Sequence, residues 1–347
     1  VIKVLVALWM GMMAAAAAAQ ELPQTQLRII GGLGNVSLYL NHERPFWEEH
    51  VPRASGGQVT ASIAPLEQVG VRPTDVFNVL RRGTVSMATV LLVSLATEDP
   101  LMIAPDIAGA SPDFATLEAT LARWRPFLEA RMRDELGVIP LAFMVYPAQI
   151  VFCRVPIRSL ADLKDRRVRV SGVSQSDFML GLGAQPVVMP FAQVLASMEN
   201  RSVDCTTTGS LSGNEIGLAR VATHMHDMAI SWGILVVLAN RSFWTNAPAA
   251  LRDFLTRELA AFEARTMAAT AHETRVGVEC NVGTPARECR EVGRMAHVRT
   301  QADEHSLRVR ILRDHVLPGW IDRCGRGCAR IWNDHLAPDA DPRLRLP

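Results

Sequence analysis

Residues 159–205, SLADLKDRRVRVSGVSQSDFMLGLGAQPVVMPFAQVLASMENRSVDC, constrain the fold more than any other stretch of the 347-residue chain. The segment alternates strand and helix signals. A basic, alternating strand over Arg166–Val170 follows Leu163-Lys164, and a helical stretch from about Ser174 to Leu182 stops at Gly183. The short apolar run Pro186–Met189 comes next, with Pro190-Phe191 at the entrance of a helix over Ala192–Glu199, and Val203-Asp204 opens a third strand. Strands separated by single helices imply right-handed crossovers and a parallel sheet. Such sheets place ligands at the carboxyl ends of their strands.

The flanking chain supports a helix-rich α/β protein. Strands are expected over Leu27–Gly31, Gln58–Ile63, Val85–Thr89, Val138–Phe143, Gln149–Cys153 and, as one long strand, Met228–Ala239. Helices are expected over Tyr39–Val51, over Thr74–Arg82 with Thr74 as N-cap, over Asp113–Leu136 and over Ile216–Ala222. A long helix from Ala249 to about Val276 has no interior Gly or Pro through its first 27 residues and repeats apolar positions at Leu251, Phe254, Leu255, Leu259 and Phe262. It is too long for one small lobe. The tail from Gln301 to His335 reads as helix with a break at Pro318-Gly319.

The amino terminus carries one charge, Lys3, before Glu21, an apolar run over Val4–Met13 and an alanine run over Ala14–Ala19. This is the pattern of a secretory signal over residues 1–19, cleaved near Ala19, and it predicts an exported, periplasmic protein. A retained anchor helix is the alternative, but the apolar stretch is short for a span of about 20 residues. Formal net charge is +1, which argues against a nucleic-acid binder. Six cysteines in an exported chain suggest disulfides. Local loops favour Cys280–Cys289 and Cys324–Cys328, leaving Cys153 with Cys205, among fifteen possible pairings. A zinc site is the competing reading, against which stands the lack of a C-x2-C pair or a well-placed histidine partner.

Three ordered blocks carry a resemblance: Ser159-Leu160-Ala161-Asp162-Leu163-Lys164 leading to Arg167-Val168-Arg169-Val170, then Gly183-Ala184-Gln185-Pro186-Val187-Val188-Met189-Pro190-Phe191, then Val203-Asp204. The pattern resembles the solute receptors of TRAP (tripartite ATP-independent periplasmic) transporters, with a weaker likeness from about residue 27 to about 335. The resemblance implies a two-lobed, periplasmic-binding-protein-like α/β fold with a hinge and a lobe-spanning helix. Lobe one would hold 27–146 plus 233–272, and lobe two 147–232 plus 273–347. It also implies a receptor, not an enzyme, with no cofactor or metal, monomeric as most such receptors are, with a helix-swapped dimer as the alternative. Such a receptor closes around a small organic anion and delivers it to a TRAP-type membrane permease. The sequence does not separate transport from ligand sensing for a membrane kinase. An exported enzyme would need a nucleophile–base pair or metal triad, and none stands out.

The resemblance assigns Arg169 to the ligand carboxylate, a role suited to a guanidinium that stays charged when buried; a solvated strand arginine is the alternative. Phe191 would pack on the ligand body, or serve as a core aromatic. Thr206, Thr207 and Thr208 occupy a turn whose asparagine contacts ligand in many receptors, with its place near Thr208, and Cys205 replaces the usual glycine there. Gln149 stands where some sialic-acid-type receptors have a second arginine, which argues against a sialic-acid-like ligand. Asn35 and Trp232 are assigned to the cleft wall, with hinge packing as the alternative for Trp232. Ser86 replaces the family's usual acidic residue after Gly83. His224 and His226 beside Asp227 lack a third metal ligand and read as a strand entry. No G-x-S-x-G elbow or full dinucleotide fingerprint is present.

Overall fold

The computed structural model describes residues 22–335; the signal-like segment over residues 1–19 lies outside the described residues. Eleven strands run in chain order: β1 (Thr25–Ile30), β2 (Val59–Ala64), β3 (Met87–Leu91), β4 (Val138–Val145), β5 (Gln149–Cys153), β6 (Arg167–Val170), β7 (Gln185–Val188), β8 (Cys205–Gly209), β9 (His224–Ser231), β10 (Ile234–Asn240) and β11 (Ala296–Val298). They form two sheets. One has the order β2-β1-β3-β10-β4 and the other β11-β9-β5-β8-β6-β7. The 159–205 segment gives the parallel trio it predicts, with β6 between β7 and β8.

The chain passes between the sheets from β4 to β5 and returns from β9 to β10. The expected single strand over 228–239 is therefore two strands. They part at Trp232-Gly233, where Gly233 takes φ +97. The apolar run is unbroken because both strands are buried, so periodicity alone does not reveal the turn. The Asp106 carboxylate accepts the main-chain N–H groups of Trp232 at 2.8 Å and Gly233 at 2.7 Å, and so fixes this crossing.

The long helix runs Ala249–Val282, about 50 Å at 1.5 Å per residue. Its first half packs Leu251, Phe254, Leu255, Leu259 and Phe262 into the core of the β1–β4 sheet. Its second half serves the other sheet's side. Thr274 accepts the Ala148 N–H on its hydroxyl at 3.0 Å and the Ser210 hydroxyl on its carbonyl at 2.9 Å. Asn281 donates to the Ser210 carbonyl at 2.9 Å. A Cβ added at Gly277 would lie 2.2 Å from the Leu211 nitrogen, so glycine permits this close crossing.

Other differences from the sequence reading have local causes. The helix expected over 216–222 instead runs Ser210–Glu215 and ends before Gly217 at φ +90, leaving one 3-10 turn over Leu218–Arg220. Its polar sequence hides a buried element whose Ser210 and Asn214 find tertiary partners. Thr74 does not cap the next helix; Asp75 precedes its first residue, Val76. The tail is not broken at Pro318-Gly319. The backbone stays helical from Ala302–Ile311 through a π-helical turn over Leu312–Val316 into Leu317–Cys324, and the wider turn just ahead of Pro318 takes up the ring and its missing N–H.

The tail, expected in lobe two, touches elements of both halves. Glu304 accepts the Leu160 N–H at 2.8 Å and pairs with the buried His226, while Trp320 donates to the Pro100 carbonyl at 2.8 Å. The three disulfides are Cys280–Cys289 and Cys324–Cys328, the pairs that local loops favour, and Cys153–Cys205, the pair left over. His224 meets the Thr223 hydroxyl, and no metal-ligand cluster occurs among the described residues.

The turn after β1 is pinned by Glu43, from the helical run over residues 38–54. Its carboxyl accepts the Gly32 N–H at 2.8 Å and the Thr89 hydroxyl of β3. Burial lifts this group from 4.5 to about 7.

Two predictions follow from these contacts. Gly277→Ala is expected to cost about 2 kcal/mol and lower Tm, whereas Gly327→Ala, whose methyl meets nothing, leaves Tm nearly unchanged. Equal melts for the two variants would contradict the close helix crossing. Between pH 4.5 and about 7 the folded Glu43 retains a proton that the unfolded chain releases, so its stabilising contribution falls as pH rises through that window. Wild type should lose Tm relative to Glu43→Gln across that range, and a pH-independent difference would rule out the shifted carboxyl.

Candidate functional site

The carboxyl ends of β6, β7 and β8 converge on a cavity of about 430 Å³ between the two sheets. Its size suits a small-molecule site. Arg169 comes from β6, Met189 and Phe191 follow β7, and Thr208 belongs to β8. The other wall comes from the β1–β4 sheet's side, including Leu33, Leu66, Leu92 and Val93.

Arg169 is 2% exposed. Its guanidinium donates through Nε at 3.0 Å and Nη2 at 2.8 Å to the Met189 carbonyl, and through Nη1 at 2.8 Å to the Thr207 carbonyl. No carboxylate pairs with it among the described residues, and burial draws its pKa down to about 10. A guanidinium carries five N–H donors. Main chain takes three, leaving one N–H on each Nη, at the end of the fork suited to a carboxylate. Arg167, two residues earlier on β6, is already paired with Asp204 at 2.9 Å.

A side-chain network lies beside Arg169, centred on the buried Gln175. Its oxygen accepts the Ser171 N–H at 2.8 Å and the Thr207 hydroxyl at 2.7 Å. Its amide nitrogen donates to the Gln149 oxygen at 2.8 Å and the Ser231 hydroxyl at 2.7 Å. This fixes the Gln149 flip: its oxygen is an acceptor for Gln175, and its amide nitrogen donates to the Trp232 carbonyl at 3.1 Å and keeps a second N–H. Thr208 lines the cavity and makes no side-chain hydrogen bond among the described residues.

Of the sequence-predicted residues, Arg169, Phe191, Thr208 and Gln149 meet on the cavity wall. Four do not. Asn35 is exposed in the turn after β1. Thr206 is fully buried and donates to the Thr207 carbonyl at 3.3 Å. Thr207 supports Arg169 and Gln175 from behind. Trp232 packs against Phe114 and donates to the Ser111 carbonyl at 3.1 Å, the hinge-packing alternative. Alternation on β8 turns Thr207 to the face opposite Thr206 and Thr208, and of that pair Thr208 is nearer the strand's carboxyl end, at the cavity.

Sequence reasoning passes over Gln175, Ser231 and Asp106. Asp106 had a signal, a lone acid inside the apolar run PLMIAPDIA. Burial raises its pKa to about 6, opposed by the Gly233 and Trp232 N–H groups it accepts.

An extracytoplasmic solute receptor of Bordetella pertussis, described as binding pyroglutamic acid, superposes with TM-score 0.76 at 20% identity over 90% of this chain and 99% of its own. A TRAP periplasmic solute-binding protein of Desulfovibrio salexigens with bound orotic acid gives 0.77 at 16% identity over 90% and 99% of the two chains. A Shewanella oneidensis counterpart with bound succinate gives 0.71 at 15% identity over 88% and 96%. These likenesses establish the two-lobed α/β fold. A solute-binding protein of Roseobacter denitrificans is 27% identical over 159 residues, 45% of this chain; the match spans about half the relative's length, 48%. Residues 41–277 match the family of bacterial extracellular solute-binding proteins, family 7, and the chain belongs to that family.

Proposed function

We infer that this protein is a periplasmic receptor that binds a small organic acid between its two lobes and delivers it to a TRAP-type membrane permease. The observation that carries this reading is the buried Arg169, held by two carbonyls, without a counter-ion among the described residues, and with two donors left at a cavity. A ligand carboxylate supplies the missing negative charge and both acceptors. Thr208 and Gln149 offer hydrogen bonds beside it, and Phe191 offers an aromatic face. Succinate, orotic acid and pyroglutamic acid, named with the similar structures, are all carboxylic acids. The lobes close on the ligand to the extent that it binds the closed form better. Export of the chain accords with the signal-like residues 1–19 and with its three disulfides.

Calorimetry of the exported chain against a panel of organic acids tests this. Binding of an acid should weaken about 100-fold in Arg169→Ala, in line with loss of a buried charge-assisted pair. Arg169→Lys, which keeps the charge but not the fork, should fall between. Equal affinity of wild type and Arg169→Ala for the same acid would remove Arg169 from the site.

A further inference from the structure

We propose that the cavity selects a monoanionic carboxylate with an apolar body and no ammonium group, and discriminates against dicarboxylates and α-amino acids. This rests on the carboxylate reading above and narrows it. The first observation is the cation count. Two cationic side chains line the cavity, Arg169 and Arg72. The Arg72 side chain is 81% exposed and closed onto Asp75 at 2.7 Å, so among the described residues only Arg169 offers the cavity a buried positive charge. A second carboxylate on the ligand would be desolvated among neutral groups, with no buried partner.

The second observation is the acid count. Asp106 is the carboxylate on the cavity wall, and its two oxygens are each engaged by a hinge N–H, from Trp232 and Gly233. Pulling it toward a ligand ammonium would break the bonds that fix the β9–β10 crossing. A zwitterion would thus place its cation beside Arg169 and the Gln149 amide, both donors, while the wall carboxylate among the described residues, Asp106, is held at the hinge with each oxygen turned to a main-chain N–H.

The third observation is the division of the lining. The polar pole presents Arg169, the second N–H of Gln149 and the hydroxyls of Thr208, Ser212 and Ser231. It can hold a carboxylate and an adjacent keto or hydroxyl oxygen. Much of the remaining wall is apolar, with Leu33, Leu66, Leu92, Val93, Ile103 and Phe191, and the hydroxyls there, of Thr74, Ser94 and Thr97, are neutral. A hydrocarbon body gains by burial there, whereas a second charged end does not.

The test is calorimetry of the wild-type exported chain with three probe sets. They are two oxo acids, 4-methyl-2-oxopentanoate and phenylpyruvate; their amino-acid counterparts, leucine and phenylalanine; and two dicarboxylates, succinate and malate. At least one oxo acid should bind at least about 30-fold tighter than its amino acid and than either dicarboxylate. A dicarboxylate or amino acid binding as tightly as the oxo acids would overturn the selectivity. The carboxylate reading would survive that result if Arg169→Lys weakens the same ligand. Absence of binding by all six probes, or affinity untouched in Arg169→Lys, would overturn both. Thermal melts of the variant alongside establish that it is folded.

Discussion

A buried guanidinium fastened to main-chain carbonyls is the interaction on which the site's organisation depends. Arg169 holds the Met189 and Thr207 carbonyls, which belong to the segments following β7 and within β8. It therefore ties three neighbouring strand ends to one rigid plane. An ordinary buried arginine is neutralised by a carboxylate, which would consume the fork. Here carbonyl dipoles offset part of the desolvation and leave the net charge in place. The Gln175 network then fixes the neighbouring donors, so that the polar pole is preformed.

The same economy of contacts governs the hinge. Two chain crossings and one long helix connect the sheets. At the return crossing, the Asp106 carboxylate substitutes for the sheet partners that Trp232 and Gly233 lack. Gly233 supplies the positive φ that the turn requires. Phe191 packs against the cores on both sides of the cleft while remaining on the cavity wall. The cavity wall is therefore continuous in packing with the cores of both halves.

Much of this was legible in the sequence because it is local. The trio β6, β7 and β8 follows from strand–helix alternation, and short loops identify two cysteine pairs and leave the third as the remainder. The assignment of Arg169 to a ligand carboxylate rests on the resemblance, since composition alone does not separate it from Arg166 and Arg167. What escaped is long-range. Gln175 matters through Thr207, Gln149 and Ser231, partners on three strands. The split of residues 228–239 depends on which sheet each half joins, information that an unbroken apolar run does not contain. Thr206 to Thr208 read as a turn but lie in β8, where Thr206 is enclosed and Thr207 is held by Arg169 and Gln175, tertiary partners that the local sequence does not name.

The position of β10 has a consequence for how the chain is made. It lies between β3 and β4, yet both of those strands precede it by many residues. A chain emerging amino-terminus first holds β1, β2 and β3 on one side and β4 on the other, with a gap that closes only when Asn240 has appeared. The long helix that covers this sheet comes later still. Early segments thus cannot lock into a finished lobe, because the strand that joins them has not arrived. Such delayed closure leaves the leading half of the sheet unfinished until most of the chain has been made.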